Sequence, residues 1–310
     1  MNKVDKDTVI KYCIHIGLPK TGNKFLRRRF FPALRGIYYC EVETAFKEFM
    51  NYFRQVGDFE FDVSHAGKIL DESSNASKYS LLHVLSDDVF SAFPWNGAVL
   101  RKRNCDRIAA IFEDPHVVIV LRNQFDMLQS HYLQYIKEGA TDTWKTFLSP
   151  EKHSLVWARD FLKYGNYVKY LIDVFGKDRV TVLFYEDFKR DSIAYLNQWC
   201  DILGVQSDCW DKSILDYREN PSLSPALVPV MRFINKFTSS SKHPNLLLPK
   251  NLHGGVKKVM MRLSAKLPRS GRPAIPKKAA DEFLKDCHES NRLLEKIVGR
   301  DLGPLGYPGT

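Results

Sequence analysis

Between Asn220 and Ala280 this chain carries no aspartate or glutamate at all, although 36 acidic residues are spread over its 310 positions. Twelve cations fall in the same stretch: Arg232, Lys236, Lys242, Lys250, Lys257, Lys258, Arg262, Lys266, Arg269, Arg272, Lys277 and Lys278. The formal charge of +10 less these twelve leaves the rest of the chain at −2. A block of one sign is either a solvated face or a landing place for an anionic partner such as an acidic glycan or a lipid head group. No helix-turn-helix, zinc-finger or ribonucleoprotein motif accompanies it, which argues against nucleic acid. Long apolar runs are lacking too. None approaches the roughly 18 residues that a membrane-spanning helix needs, and the polar start Met1-Asn-Lys-Val-Asp-Lys-Asp-Thr8 has no signal-peptide core. Cysteine is sparse: Cys13, Cys40, Cys105, Cys200, Cys209 and Cys287 show neither zinc-type nor disulfide-framework spacing. Buried thiols in a reducing, cytoplasmic setting are the expectation.

Apolar residues make up 44% of the chain, enough for a packed core, and neither an internal repeat nor a low-complexity linker divides it. Short runs at 9–16, 81–85, 117–121 and 180–185 are apolar on successive residues rather than alternate ones. That is the pattern of strands covered on both faces. Helical spacing between them, at 23–34, 125–138, 157–175, 192–203 and 277–298, predicts an α/β fold with a doubly wound parallel sheet in a single domain. Eight prolines break up residues 221–276, which read as a basic, irregular insertion with two short helices at 226–237 and 256–267. Each helix has an apolar stripe. In the second, Val256, Val259, Met260, Leu263 and Leu267 lie opposite Lys257, Lys258, Arg262 and Lys266. Such a stripe can pack on the core or lie on an anionic membrane surface, so peripheral membrane contact stays open.

The first strand runs into Gly17-Leu-Pro-Lys-Thr-Gly22 and then into a helix. Glycines at both ends let backbone N–H groups point into one concavity, the helix aims its positive dipole there, and Lys20 adds a full charge. The spacing is that of a P-loop-like phosphate-binding loop. Asn23 and Lys24, however, stand where the ATP-type loop has Lys and then Ser or Thr, so the hydroxyl that would hold magnesium is missing. The reading is an anionic ligand and no required metal. Arg122 closes the apolar run His116-Val-Val-Ile-Val-Leu121, and Ser130 follows eight residues later, inside a helix.

Pro19-Lys-Thr-Gly22, with Arg122 and Ser130, resembles the two cofactor signatures of sulfotransferases that use 3′-phosphoadenosine 5′-phosphosulfate, PAPS. Val180-Thr-Val-Leu-Phe-Tyr-Glu-Asp-Phe188 and the tail Gly299-Arg-Asp-Leu-Gly-Pro-Leu-Gly-Tyr-Pro308 resemble matching parts of prokaryotic members that act on carbohydrates or lipids. The resemblance implies that Lys20, Thr21, Gly22, Asn23, Lys24 and Phe25 wrap the 5′-phosphosulfate and that Arg122 and Ser130 hold the 3′-phosphate. Lys20 would also stabilise the charge developing on the bridging oxygen, and the product would be adenosine 3′,5′-bisphosphate. At Asn23 and Lys24 the chain departs from the Thr or Ser usual in that family.

An acceptor hydroxyl, on a carbohydrate or glycolipid, needs a general base. Ser86-Asp-Asp-Val-Phe-Ser91 resembles a prokaryotic pattern in which the carboxylate at the position of Asp88 serves. A branch with His directly after the hydroxyl residue points to Asp87 instead. Either carboxylate can equally be a helix cap. His83 is a third candidate, although a lone histidine in an apolar strand is more often a core residue. Two other readings compete: a nucleotide kinase, disfavoured by the altered loop, and a non-catalytic anion-binding protein.

Overall fold

The computed structural model describes residues 12–40, 44–72, 82–92, 98–149, 159–216, 223–237, 250–267 and 273–310. Its centre is one sheet of five parallel strands: β1 (Tyr12–Gly17), β2 (Ile37–Tyr39), β3 (Leu82–Asp87), β4 (His116–Leu121) and β5 (Val180–Phe184), in the order β2-β3-β1-β4-β5. The doubly wound α/β expectation holds. Side chains alternate between two buried faces. Ile14, Ile16, Leu85, Val117, Ile119 and Leu121 enter one apolar cluster, whereas Cys13, Val84, Val118 and Val120 enter the other. Double coverage therefore explains runs that are apolar at every position. All six cysteines are buried and free.

The helices in chain order are α1 (Asn23–Phe25), α2 (Phe31–Ala33), α3 (Thr44–Gln55), α4 (Val63–Glu72), α5 (Arg101–Ile111), α6 (Gln124–Lys137), α7 (Trp144–Phe147), α8 (Tyr164–Phe175), α9 (Tyr185–Arg190), α10 (Ser192–Leu203), α11 (Val228–Asn235), α12 (Lys250–Lys266), α13 (Lys277–Leu284) and α14 (His288–Val298). A π-turn, Leu26–Phe30, joins α1 to α2. Pro32 cannot donate to the carbonyl four residues back, and the wider turn lies just before it. α10 and the segment from α1 to α2 cover one face of the sheet, with Trp199 and Phe31 at its centre; α3, α5, α6 and α8 cover the other.

Three details differ from the sequence reading. β2 has only three residues, too short to show a period. The expected helix at 277–298 is two helices separated by a 3-10 turn, Lys285–Cys287. The expected helix at 157–175 is a 3-10 turn, Arg159–Leu162, then α8, and residues 157 and 158 lie outside the described residues. The ends of two expected strands, 9–11 and 81, are also outside them, as are Lys242, Arg269 and Arg272 of the basic block.

Connections leave β1 toward β2 on one side and β4 toward β5 on the other. The switch point of the sheet therefore lies between the carboxyl ends of β1 and β4, where ligands of such folds bind. Gly17 is in register with Val120 there. Arg122 and the loop after Gly17 thus flank one crevice.

Candidate functional site

The loop after β1 is braced from within. The Thr21 hydroxyl lies 2.6 Å from the Leu18 carbonyl and 2.9 Å from Asn23 Oδ1. Asn23 Nδ2 donates to the same Leu18 carbonyl at 2.8 Å and to Asp88 Oδ1 at 2.6 Å. Both side chains are buried. They hold the loop's shape, and what they can offer a ligand is their backbone N–H. Gly17 has to be glycine because a Cβ there would sit 2.5 Å from Asn23 Nδ2. Gly22 adopts φ +87°, with the Tyr185 ring against it.

Lys20 is held at φ +71°, a conformation that costs a non-glycine residue about 1 kcal/mol or more. The structure holds it there by two bonds. Arg122 Nη1 donates to the Lys20 carbonyl at 3.1 Å, and Lys20 Nζ donates to Gln134 Oε1 at 3.1 Å. Burial, then the cations Lys137, Lys24 and Arg122, lower the Lys20 ammonium to a pKa of about 8, with Glu138 opposing. A cation depressed in this way gains from any anion placed beside it.

Arg122 also reaches Asp126 Oδ2 at 3.3 Å and lies 5.1 Å from the Tyr185 ring centre. Burial raises the Asp126 carboxyl, but Lys189, 2.8 Å away, and Arg122 outweigh it and hold the group below its ordinary range. The Arg122 Nε is buried with no acceptor among the described residues. The N–H groups of Asn23 and Lys24 lack intrahelical acceptors, as at any helix start, whereas that of Phe25 donates to the Gly22 carbonyl at 2.9 Å. An unanswered guanidinium donor and a set of helix-start donors are what a phosphorylated nucleotide would satisfy, so the residues present fit such a group. Ser130 lies one turn beyond Asp126 on α6, half-buried. Lys24 is exposed at the rim, and Phe25 is buried against Phe188 at 5.4 Å. Thr21, Gly22, Leu26, Phe188 and Tyr195 line a small recess beside the loop.

The two aspartates sit differently. Asp87 caps the turn Asp88–Ser91 by accepting from Val89 N at 2.8 Å, and Arg27 Nη1 approaches its other oxygen at 3.4 Å. Asp88 is turned toward the loop through Asn23. Ser91 fastens this turn to the cradle, donating to the Gly17 carbonyl at 3.1 Å. His83 is not brought to the site. It lies near the amino end of β3, level with Tyr12 and Tyr38, and its ring packs between theirs.

Sequence reasoning gave no role to several residues that build the site. Asp126, Gln134 and Lys189 hold the two cations in place. Glu186 Oε1 accepts from both Asn123 N and Asn123 Nδ2 at 3.0 Å, and Asn123 in turn caps α6. Arg300 forks onto Asp187 at 2.6 and 2.9 Å, so the tail motif braces the end of β5. His15, under the cradle, shares a 2.7 Å bond with Ser86 and packs on Trp199. Tyr185-Glu-Asp187 was visible as a motif, but only contacts distant in sequence show its work.

No protein-family model matches this sequence, and no curated protein matches it. A sulfotransferase from Alicyclobacillus acidocaldarius aligns over 96% of this chain and 99% of its own, with TM-score 0.57 and 16% identity. The chain thus has a sulfotransferase fold. A mouse sulfotransferase complexed with PAP aligns over 94% and 89% at TM-score 0.39 and 16% identity. The sulfotransferase domain of the Synechococcus olefin synthase aligns over 86% and 98% at TM-score 0.38 and 12% identity.

Proposed function

We propose that this chain moves a sulfuryl group from PAPS to a hydroxyl of a carbohydrate or glycolipid acceptor. The observation that carries the reading is the convergence of two cations from two strand ends. Lys20 is held in a strained backbone conformation, and Arg122 is bonded to its carbonyl, at the switch point of a sulfotransferase fold. PAPS, when bound, supplies a sulfuryl group on a phosphosulfate whose departure leaves adenosine 3′,5′-bisphosphate.

The chain's own residues divide the work. Lys20 and the N–H groups from Thr21 to Lys24 would hold the 5′ end, while the Phe25 N–H already donates to the Gly22 carbonyl. The Lys20 ammonium opposes charge developing on the bridging oxygen, and it does so where little water screens it. Arg122, with Ser130, would hold the 3′-phosphate, the guanidinium exchanging its contact with Asp126 for the stronger fork on phosphate. Asp88, oriented by Asn23, would take the proton of the acceptor hydroxyl as that oxygen bonds to sulfur.

The test is thermal. Adenosine 3′,5′-bisphosphate should raise the melting temperature more than ATP, which lacks the 3′-phosphate, and Arg122→Ala should erase most of that difference. Equal shifts with both nucleotides in the wild type would overturn the cofactor assignment.

A further inference from the structure

Ten large apolar residues are exposed among the described residues, and six of them fall within two helical segments: Val230, Phe233 and Phe237 around α11, and Val259, Leu263 and Leu267 around α12. Phe233 is 63% exposed and Val259 54%. Isolated exposed apolar residues are ordinary, but this concentration is not.

The outward turn is fixed from the other side of each helix. Asn235 Nδ2 donates to the Ile136 and Ala140 carbonyls, both at 2.8 Å, and Arg232 Nε donates to the Thr141 carbonyl at 3.0 Å, seating α11 on the end of α6. Ser264 is buried and accepts from Ser224 N at 3.0 Å, while Met260 is buried beside it. With these residues facing in, helical geometry sends Val259, Leu263 and Leu267 to the adjoining stripe. Lys266, Arg262 and Lys258 follow on the stripe beyond it. α11 repeats the order: Met231 and Asn235 inward, the aromatic pair outward with ring centres 5.2 Å apart, then exposed Lys236. Of the two alternatives for these stripes, packing on the core accounts for Met231 and Met260 but not for the six exposed residues.

We infer that α11 and α12 form a docking face for an anionic membrane surface, their apolar stripes entering the head-group boundary and their flanking cations facing acidic lipids. An apolar strip bordered by cations, with no carboxylate in the whole segment, complements that surface. Among the described residues no helix is long and apolar enough to cross a membrane, so the contact is a surface one. α11 is also near the loop: it is seated on the Ile136 and Ala140 carbonyls, just past the Gln134 that accepts from Lys20. On the proposed function, the membrane face would therefore present lipid-linked hydroxyls to the site.

Vesicle co-sedimentation tests the docking without cofactor or turnover, so its failure would leave the enzymatic reading standing. Wild-type protein should partition at least about tenfold better onto phosphatidylcholine vesicles with about a third phosphatidylglycerol than onto neutral ones, and salt should weaken it. Phe233→Ser with Leu263→Ser should lose most binding to both. Lys258→Glu with Arg262→Glu and Lys266→Glu should lose the anionic preference, while Phe59→Ser, an exposed control elsewhere, should bind as wild type. Melting curves verify that each variant is folded. No wild-type partitioning, or partitioning that both variant sets retain, would overturn the docking. So would capture by a soluble acidic polysaccharide without any by vesicles, which would make the block a glycan site instead.

Discussion

In the loop after β1 the side chains of Thr21 and Asn23 turn inward, whereas on α11 and α12 Val230, Phe233, Val259 and Leu263 turn outward. In the loop, Thr21, Asn23 and Asp88 bond one another or the Leu18 carbonyl, leaving backbone N–H groups and Lys20 to face the crevice. In the two helices, a few buried anchors such as Asn235 and Ser264 fix the orientation, and the large exposed side chains among the described ones are apolar or cationic. On the proposed function the loop holds one small anion in one geometry. On the inferred docking the helices meet a broad surface without fixed geometry. Substitutions in the loop should therefore have large, sharply localised effects, and single substitutions in the helices small, additive ones.

The largest contrast is expected at the aspartate pair. Asp88→Asn keeps size and the acceptor for Asn23 but removes basicity, and should lower transfer by about two to four orders of magnitude. Bisphosphate binding should survive. Asp87→Asn, which keeps the cap and weakens only the contact with Arg27, should be much milder; the reverse ranking would move the base to Asp87. Lys20→Ala comes next, with turnover down by about two to three orders of magnitude and nucleotide affinity down less. Unchanged turnover would remove Lys20 as the transition-state cation.

Gly17→Ala tests the bracing itself. A Cβ 2.5 Å from Asn23 Nδ2 must displace that amide, and the loss should be about 1–3 kcal/mol in a denaturant titration. A silent substitution would show that the loop does not depend on Asn23. The mildest effect is in pH. Lys20 carries its charge below about 8 in the free protein, and an anion favours the protonated form. Affinity for the bisphosphate should hold below pH 8 and fall above it, by at most about tenfold per pH unit. A flat profile through pH 9 would mean that Lys20 does not contact the anion.

Stability has its own pH dependence. Burial, then nearby cations, lowers His15 and His131 to about 3, against an ordinary value of 6.5. Between those values the unfolded chain binds protons that the native one refuses, so stability should fall as pH falls from 6.5 toward 3. His15→Gln should flatten the slope of melting temperature against pH, and an unaltered slope would show that His15 is not among the groups responsible.

The sheet, the loop after β1 and the arginine at the end of β4 were legible because each is local. Successive apolar residues mark β1, β3, β4 and β5, and Gly17, Lys20 and Gly22 are needed where backbone must curl around an anion. β2 was not legible, since its three residues pair with β3 only in the folded chain. Nor was the inward turn of Asn23, which depends on an Asp88 brought close by the sheet. His83 attracted notice as a titratable residue near Asp87, yet a strand separates the two ends of the sheet, and position along it decides reach. The stripes on α11 and α12 were visible as periodicity. Whether they faced in or out depended on hydrogen bonds to α6 and to Ser224 that periodicity does not encode.

The central claim is that the two converging cations serve sulfuryl transfer. Incubation of the protein with PAPS carrying radiolabelled sulfate, a mixed pool of carbohydrate and glycolipid acceptors and no added magnesium tests it most directly. Label should move to an acceptor with wild-type protein and fail to move with Lys20→Ala, both proteins being folded. No transfer above a heat-denatured control, in protein that still binds the bisphosphate and with acceptors from the whole range tried, would contradict the account.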